Sequence, residues 1–151
     1  MPYFLDTSAL VKLYVREPGT EAILRFLDAT AASGALVISA LAAVEFAAAL
    51  KMKERSGALT TTLGAELLAR FQEHLGWQYA QQAVTDSVLQ RAAALVQRHP
   101  LRAYDAVQLA SAAIAGQSAG DPPLGFICSD QQLLAAARAE GLSCFDPLVG
   151  S

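Results

Sequence analysis

Charge is scarce in this sequence: Asp, Glu, Lys and Arg make up 17% of its 151 residues, against 54% hydrophobic. That scarcity excludes disorder as the main state, because disorder needs low hydrophobicity and high charge. Long, strongly apolar runs are missing too. The longest uncharged stretch, between Asp28 and Glu45, is rich in small residues and falls short of the about 20 apolar residues of a membrane span. No basic n-region opens the chain and Asp6 interrupts any apolar h-region, so no signal peptide is expected. Cysteine is rare. Cys128 and Cys144 lie in apolar surroundings, form no metal-ligand pair and read as two buried free thiols, which sets a cytoplasmic expectation. Basic charge is in deficit, with a net charge of −3, and this at first sight argues against nucleic acid as a partner. Repeats, low-complexity tails and linkers are absent, and the length suits a single domain over residues 1–151.

What is present is a succession of short apolar runs and amphipathic segments. Residues 2–5 read as a buried strand, too short for a helix. Helical spacing of Leu10, Val11, Leu13, Tyr14 and Val15 follows from Ser8, with Thr7 or Ser8 as its N-cap. Glu17, Pro18 and Gly19 break it. A helix from Thr20 places Ile23, Leu24 and Leu27 on one face, and residues 36–38 form a second strand leading to Ser39, another N-cap candidate. An Ala-rich helix runs to Arg55 and stops at Gly57. Further helices are expected over 60–75, with Leu63, Leu67, Leu68 and Phe71 in register, over 85–98 and over 103–115, with residues 76–84 read as a link. A loop at 120–123, a strand at 126–128, a helix ending at Gly141 and a strand at 142–145 complete the pattern. All-apolar strands alternating with helices imply a parallel sheet covered on both faces, a three-layer α/β/α sandwich with a short-stranded, mostly parallel central sheet.

Four acids do not fit that core. Asp6 and Asp130 each follow a buried strand, where open parallel sheets bind ligands. Glu45 and Asp105 are single acids inside apolar helical segments. A buried carboxylate is costly unless it is paired or holds a cation. Taken singly, Asp6, Asp105 and Asp130 have an ordinary reading as helix caps or dipole partners, whereas Glu45 beside Phe46 has none. Taken together, they suit an all-oxygen site for Mg²⁺ or Mn²⁺.

The blocks FLDTSALVKLY, SALAAVEFAAAL, LRAYDAVQLA and FICSDQQLLAAA, in this order and at these separations, resemble the PIN-domain family, specifically the VapC-type toxins of bacterial toxin–antitoxin pairs. The resemblance implies a metal-dependent endoribonuclease with a PIN-like fold, its acids matching Asp6, Glu45, Asp105 and Asp130. It also implies that the hydroxyls of Thr7 and Ser8 orient the site, and that the partners are an RNA substrate, a small VapB-like antitoxin and a second copy in a homodimer. Many members carry Thr or Ser two residues before the fourth acid; Cys128 stands there instead, with Ser129 next to it as an alternative hydroxyl.

One or two divalent ions held by such acids remove the need for a histidine base. His74 and His99 lie near expected helix ends and receive no role, which separates this chain from metal-free ribonucleases. Asp6 and Asp105 are expected to ligate directly, with Glu45 and Asp130 acting through water or on a second ion. With four of the 14 acids in the site, ten oppose 11 Lys and Arg, so the rest of the surface is nearly neutral. Arg102, Lys12, Arg16 and Lys51 are candidate phosphate contacts, with Lys53 and Arg55 behind them. Two rivals remain: a partner-binding module of the same fold with idle acids, and a small-molecule phosphatase of the haloacid dehalogenase type. The second needs an Asp two positions after the first acid, where Ser8 stands.

Overall fold

In the computed structural model, which describes residues 1–30, 34–120 and 123–151, the apolar run after Pro2 becomes strand β1 (Tyr3–Leu5) at the centre of a five-stranded sheet. The other strands are β2 (Leu36–Ser39), β3 (Tyr79–Gln82), β4 (Gly125–Ile127) and β5 (Ser143–Phe145). Their order is β3-β2-β1-β4-β5 and every pairing is parallel. The helices are α1 (Thr7–Val11), α2 (Thr20–Thr30), α3 (Ala42–Arg55), α4 (Thr61–Leu75), α5 (Asp86–Arg98), α6 (Ala103–Ala119) and α7 (Gln131–Ala139). Part of the loop expected at 120–123, residues 121 and 122, lies outside the described residues.

Strand alternation divides the core into two layers. Tyr3 and Leu5 face one side, where Leu10, Ile23, Phe46, Leu67 and Phe71 bring in α1 to α4. Phe4 faces the other, among Val88, Leu95, Leu109 and Leu133 from α5, α6 and α7. This is the α/β/α sandwich expected from the sequence. Among the described residues no helix is long and apolar enough to cross a membrane.

Several details differ from the sequence reading. Residues 79–82 are the edge strand β3 and not a link. Only Tyr79 of its four residues is buried, so no apolar run marked it; pairing with β2 makes it a strand. Helix α1 is a short turn ending at Val11, and its N-cap is Asp6, not Thr7 or Ser8. Ser39 does not cap α3; its Oγ accepts the Leu41 amide within the preceding turn. Leu24 and Leu63 are exposed, and Cys144 is only half-buried.

Gly125 opens β4 because the backbone passes directly under Tyr3. A Cβ at this position lies 2.7 Å from Tyr3 Cδ1, and the Tyr3 ring is held edge-on against Phe26 with centroids 5.2 Å apart. Gly125→Ala is therefore expected to lower stability by roughly 1–3 kcal/mol through overpacking. Urea denaturation measures this, and an unchanged midpoint means that the ring moves without strain.

Candidate active site

Strands run outward from β1 in both directions, first to β2 and β3, later to β4 and β5, so the chain reverses its order between β1 and β4. Open α/β sheets bind ligands at this switch point, beyond the strands' carboxyl ends. Asp6 follows β1 and Asp130 lies three residues beyond β4. Leu5 is paired with Ile127, and the Asp6 amide donates to the Ile127 carbonyl at 3.2 Å.

Asp6 is 4% exposed. Its Oδ1 accepts from Ser8 Oγ at 2.7 Å and from the Ala9 amide at 3.1 Å. Burial outweighs these bonds and pushes its pKa up from 3.8 to about 6. The Ser8 hydroxyl in turn accepts from the Ser129 amide at 3.0 Å, tying the turn after β1 to the turn after β4. Cys128 is the other tie. Its Sγ accepts from the Asp130 amide at 3.3 Å and lies 3.9 Å from Ser8 Oγ. Burial and the Asp6 charge push this thiol well up, so it remains protonated. The sulfur thus makes the turn bond expected of a Thr or Ser hydroxyl at this position, and Asp130 keeps its place as N-cap of α7, accepting from the Leu133 amide at 2.9 Å. Ser129 contributes its amide to Ser8, while its hydroxyl is buried without a partner.

Cys128→Ser is expected to preserve stability, because Oγ can take the same amide. Cys128→Ala leaves the Asp130 N–H unpaired and is expected to cost roughly 1–3 kcal/mol. Chemical denaturation of the pair separates the bond from the packing; equal losses in both variants refute this account.

The remaining acids come from the two helical layers. Asp105, in the first turn of α6, is half-buried. Burial raises its pKa and the Asp130 charge raises it further, against a smaller lowering by Arg102, whose Nε is 3.6 Å away. Glu45 is also raised, first by burial and then by the Asp105 charge, against hydrogen bonds from Gln108 and Thr7. Gln108 Nε2 is 2.6 Å from Glu45 Oε1 and 3.1 Å from Thr7 Oγ1. Glu45 therefore feels the charge of Asp105 and Asp105 that of Asp130, while the guanidinium facing Asp105, that of Arg102, is 84% exposed. Asp6 is linked to them through Ser8, Cys128 and the Ser129 amide.

Among the described residues no three His, Cys, Asp or Glu side chains form a ready-made metal cage. The donor set fits Mg²⁺ or Mn²⁺ on different grounds: every donor is a hard oxygen, and the cation that faces Asp105, Arg102, is largely exposed. Mg²⁺ usually takes only one or two carboxylates and completes its shell with water and substrate phosphate.

Of the expected phosphate contacts, Lys12 is withdrawn. It is 7% exposed, with Nζ 2.9 Å from Glu17 Oε1. Lys53 closes on the other oxygen of Glu17 at 2.7 Å. Burial pushes Glu17 up, but the bonds from Lys53 and Lys12 outweigh it and hold the carboxyl below its ordinary value. These lysines brace the end of α1 against α3. Arg16, paired with Glu21, and Lys51, 2.7 Å from Glu54, are exposed, and such surface pairs are weak enough to exchange for phosphate. Gln108 was missed from the sequence. Its one signal was a long polar side chain one turn after Asp105, amid the Ala and Leu of α6.

The family model described as PIN domain matches residues 3–138. Among solved structures, FitAcB from Neisseria gonorrhoeae is 18% identical at a TM-score of 0.69, with 96% of this chain and 97% of that chain covered. A toxin–antitoxin complex from Klebsiella pneumoniae gives 19%, 0.65, 96% and 97%. VapBC2 from Rickettsia felis, bound to a DNA fragment from its promoter, gives 13%, 0.64, 97% and 98%. Likeness at these identities shows a shared fold. Comparison with curated protein sequences found no match.

Proposed function

The chain belongs to the PIN-domain family, and from that premise we propose that it is a divalent-metal-dependent endoribonuclease, the toxin of a VapBC-type pair. The observation that carries this reading is a buried Asp6 at the sheet's switch point together with Glu45 and Asp105, each raised by burial and by a neighbouring acid's charge, with the largely exposed Arg102 guanidinium set against Asp105. A cation beside such carboxylates favours their charged form. Asp6 and Asp105 would hold a divalent ion directly, with Glu45 and Asp130 reaching it through water or holding a second ion, and the chemistry such an ion would supply is activation of water and neutralisation of phosphate charge. Ser8 fixes the aim of Asp6, and Thr7 and Gln108 fix that of Glu45. Arg102, Arg16 and Lys51 are the exposed cations offered to the RNA backbone.

The solved relative named as a toxin–antitoxin complex and the VapBC2 structure support a small VapB-like antitoxin as the natural inhibitor, and the homodimer belongs to the same reading. The test uses the chain purified free of any partner and incubated with structured RNA and Mg²⁺ or Mn²⁺. Cleavage that EDTA abolishes, and that Asp105→Asn abolishes while its melting curve stays normal, is the expected result. Cleavage unaffected by EDTA overturns the reading, and tight partner binding without any cleavage favours a binding module.

A further inference from the structure

Gln108 is a poor choice for packing alone. It is 1% exposed, on a stretch of α6 otherwise buried through Ala106, Leu109, Ala110 and Ala112, and its Oε1 has no hydrogen-bond partner among the described residues. A Leu or Met of similar length fills such a space without leaving an acceptor unpaired. The other half of the amide is fully used. Nε2 has two hydrogens; one goes to Glu45 Oε1 at 2.6 Å and the other to Thr7 Oγ1 at 3.1 Å. The reverse orientation sets Oε1 against a carboxylate oxygen at that distance, which repels, so the amide is directed one way. Thr7 Oγ1 accepts from the same Nε2, so one amide nitrogen bridges Thr7 and Glu45. The result is a bridge of side chains from α1, α3 and α6, with the Gln108 amide at its centre.

We propose that Gln108 is a positioning residue whose amide pins Glu45 Oε1 and Thr7 together, so that Oε2 is the Glu45 oxygen left to share a divalent cation with Asp105. The unpaired Oε1 is then what is tolerated in return for two donors aimed the other way. This rests on the metal-dependent reading above. Glu45 stands on a different helix from Asp105, so the rotamer of its side chain, which the Gln108 amide holds, helps to set the separation of the two acids. In Gln108→Met the same volume is kept and both donors are lost, and Glu45 is free to swing away.

The test is a calorimetric titration of the chain with Mn²⁺ alone, with the melting temperature and RNA cleavage measured on the same preparations. Gln108→Met is expected to melt no lower than wild type, because an unpaired acceptor is gone, and yet to bind Mn²⁺ at least about tenfold more weakly. Its cleavage should recover at high Mn²⁺ with KM for RNA unchanged, which a loss of fold does not allow. Should Gln108→Met fail to fold, Thr7→Val removes the acceptor that anchors the other hydrogen of Gln108 Nε2 and is expected to weaken Mn²⁺ in the same direction. Wild-type Mn²⁺ affinity in a folded variant overturns the inference alone. A wild-type chain that binds no Mn²⁺ overturns the metal reading and this inference with it.

Discussion

Asp6→Asn is expected to abolish RNA cleavage, by roughly a thousandfold or more, while the folded state becomes no less stable. Both parts follow from the same geometry. The asparagine keeps a carbonyl oxygen where Oδ1 accepts from Ser8 and from the Ala9 amide, and Asn is as good an N-cap as Asp. It lacks the charge that a cation at the switch point requires, and charge neutralisation of this kind contributes several kcal/mol to the reaction.

The stability sign comes from burial. Asp6 titrates near 6 in the folded chain instead of near 3.8, so between those values the folded state holds more protons than the unfolded one. The contribution of this group is greatest below about pH 4 and is lost as pH rises through 6, after which it is level. At pH 7.5 the two-unit difference is an upper limit of roughly 3 kcal/mol against folding, and Asp6→Asn removes it. Mg²⁺ or Mn²⁺ should offset the same penalty in the wild type, raising its melting temperature, and leave the variant unmoved. Urea denaturation at pH 5 and 7.5, with and without the ion, tests all of this. Full cleavage by Asp6→Asn sinks the assignment, and a strong loss of stability at pH 7.5 sinks the electrostatic account.

Phe46→Ala should show the largest loss of stability, about 3–5 kcal/mol, the range for deleting a buried phenyl ring. Phe46 is fully buried, with its ring centroid 4.1 Å from that of Phe71 and 5.1 Å from that of Tyr14. These contacts lock the rotation of α3 against the turn that follows α1 and against α4. Successive helix residues point about 100° apart, so the facet that buries Phe46 turns Glu45 toward α6 and Gln108. Truncation is therefore expected to lower cleavage even at temperatures where the variant is fully folded, because Glu45 is no longer held. A midpoint shift worth less than about 1 kcal/mol in urea contradicts the packing account, and normal cleavage by folded Phe46→Ala contradicts the link to Glu45.

The four acids were legible because each interrupts a segment that is otherwise apolar, and burial makes such an exception expensive. The strands that deliver Asp6 and Asp130 were legible for a similar reason: three- or four-residue apolar runs between helices have few alternatives. Strand β3 was not. Its residues, YAQQ, show one buried side chain in four, and an edge strand is made by the neighbour that pairs with it. The cap of α1 was missed because capping depends on the backbone, and Asp6 leaves β1 with φ −73° and ψ 170°, as an N-cap requires.

Lys12 and Gln108 mark the same boundary from opposite sides. Lys12 looked like an exposed cation and is buried against Glu17, while Gln108 looked like an incidental polar residue and joins three helices at the site. By itself the sequence determined the layers, the elements that build them and the acids that do not belong in a core, because hydrophobic periodicity and the cost of buried charge are local quantities. Tertiary structure alone decided which acid faces which, that a cysteine sulfur takes a hydroxyl's bond, and that Glu45 is held by an amide 63 residues away. Those outcomes depend on distances across the sheet, set only when both layers pack.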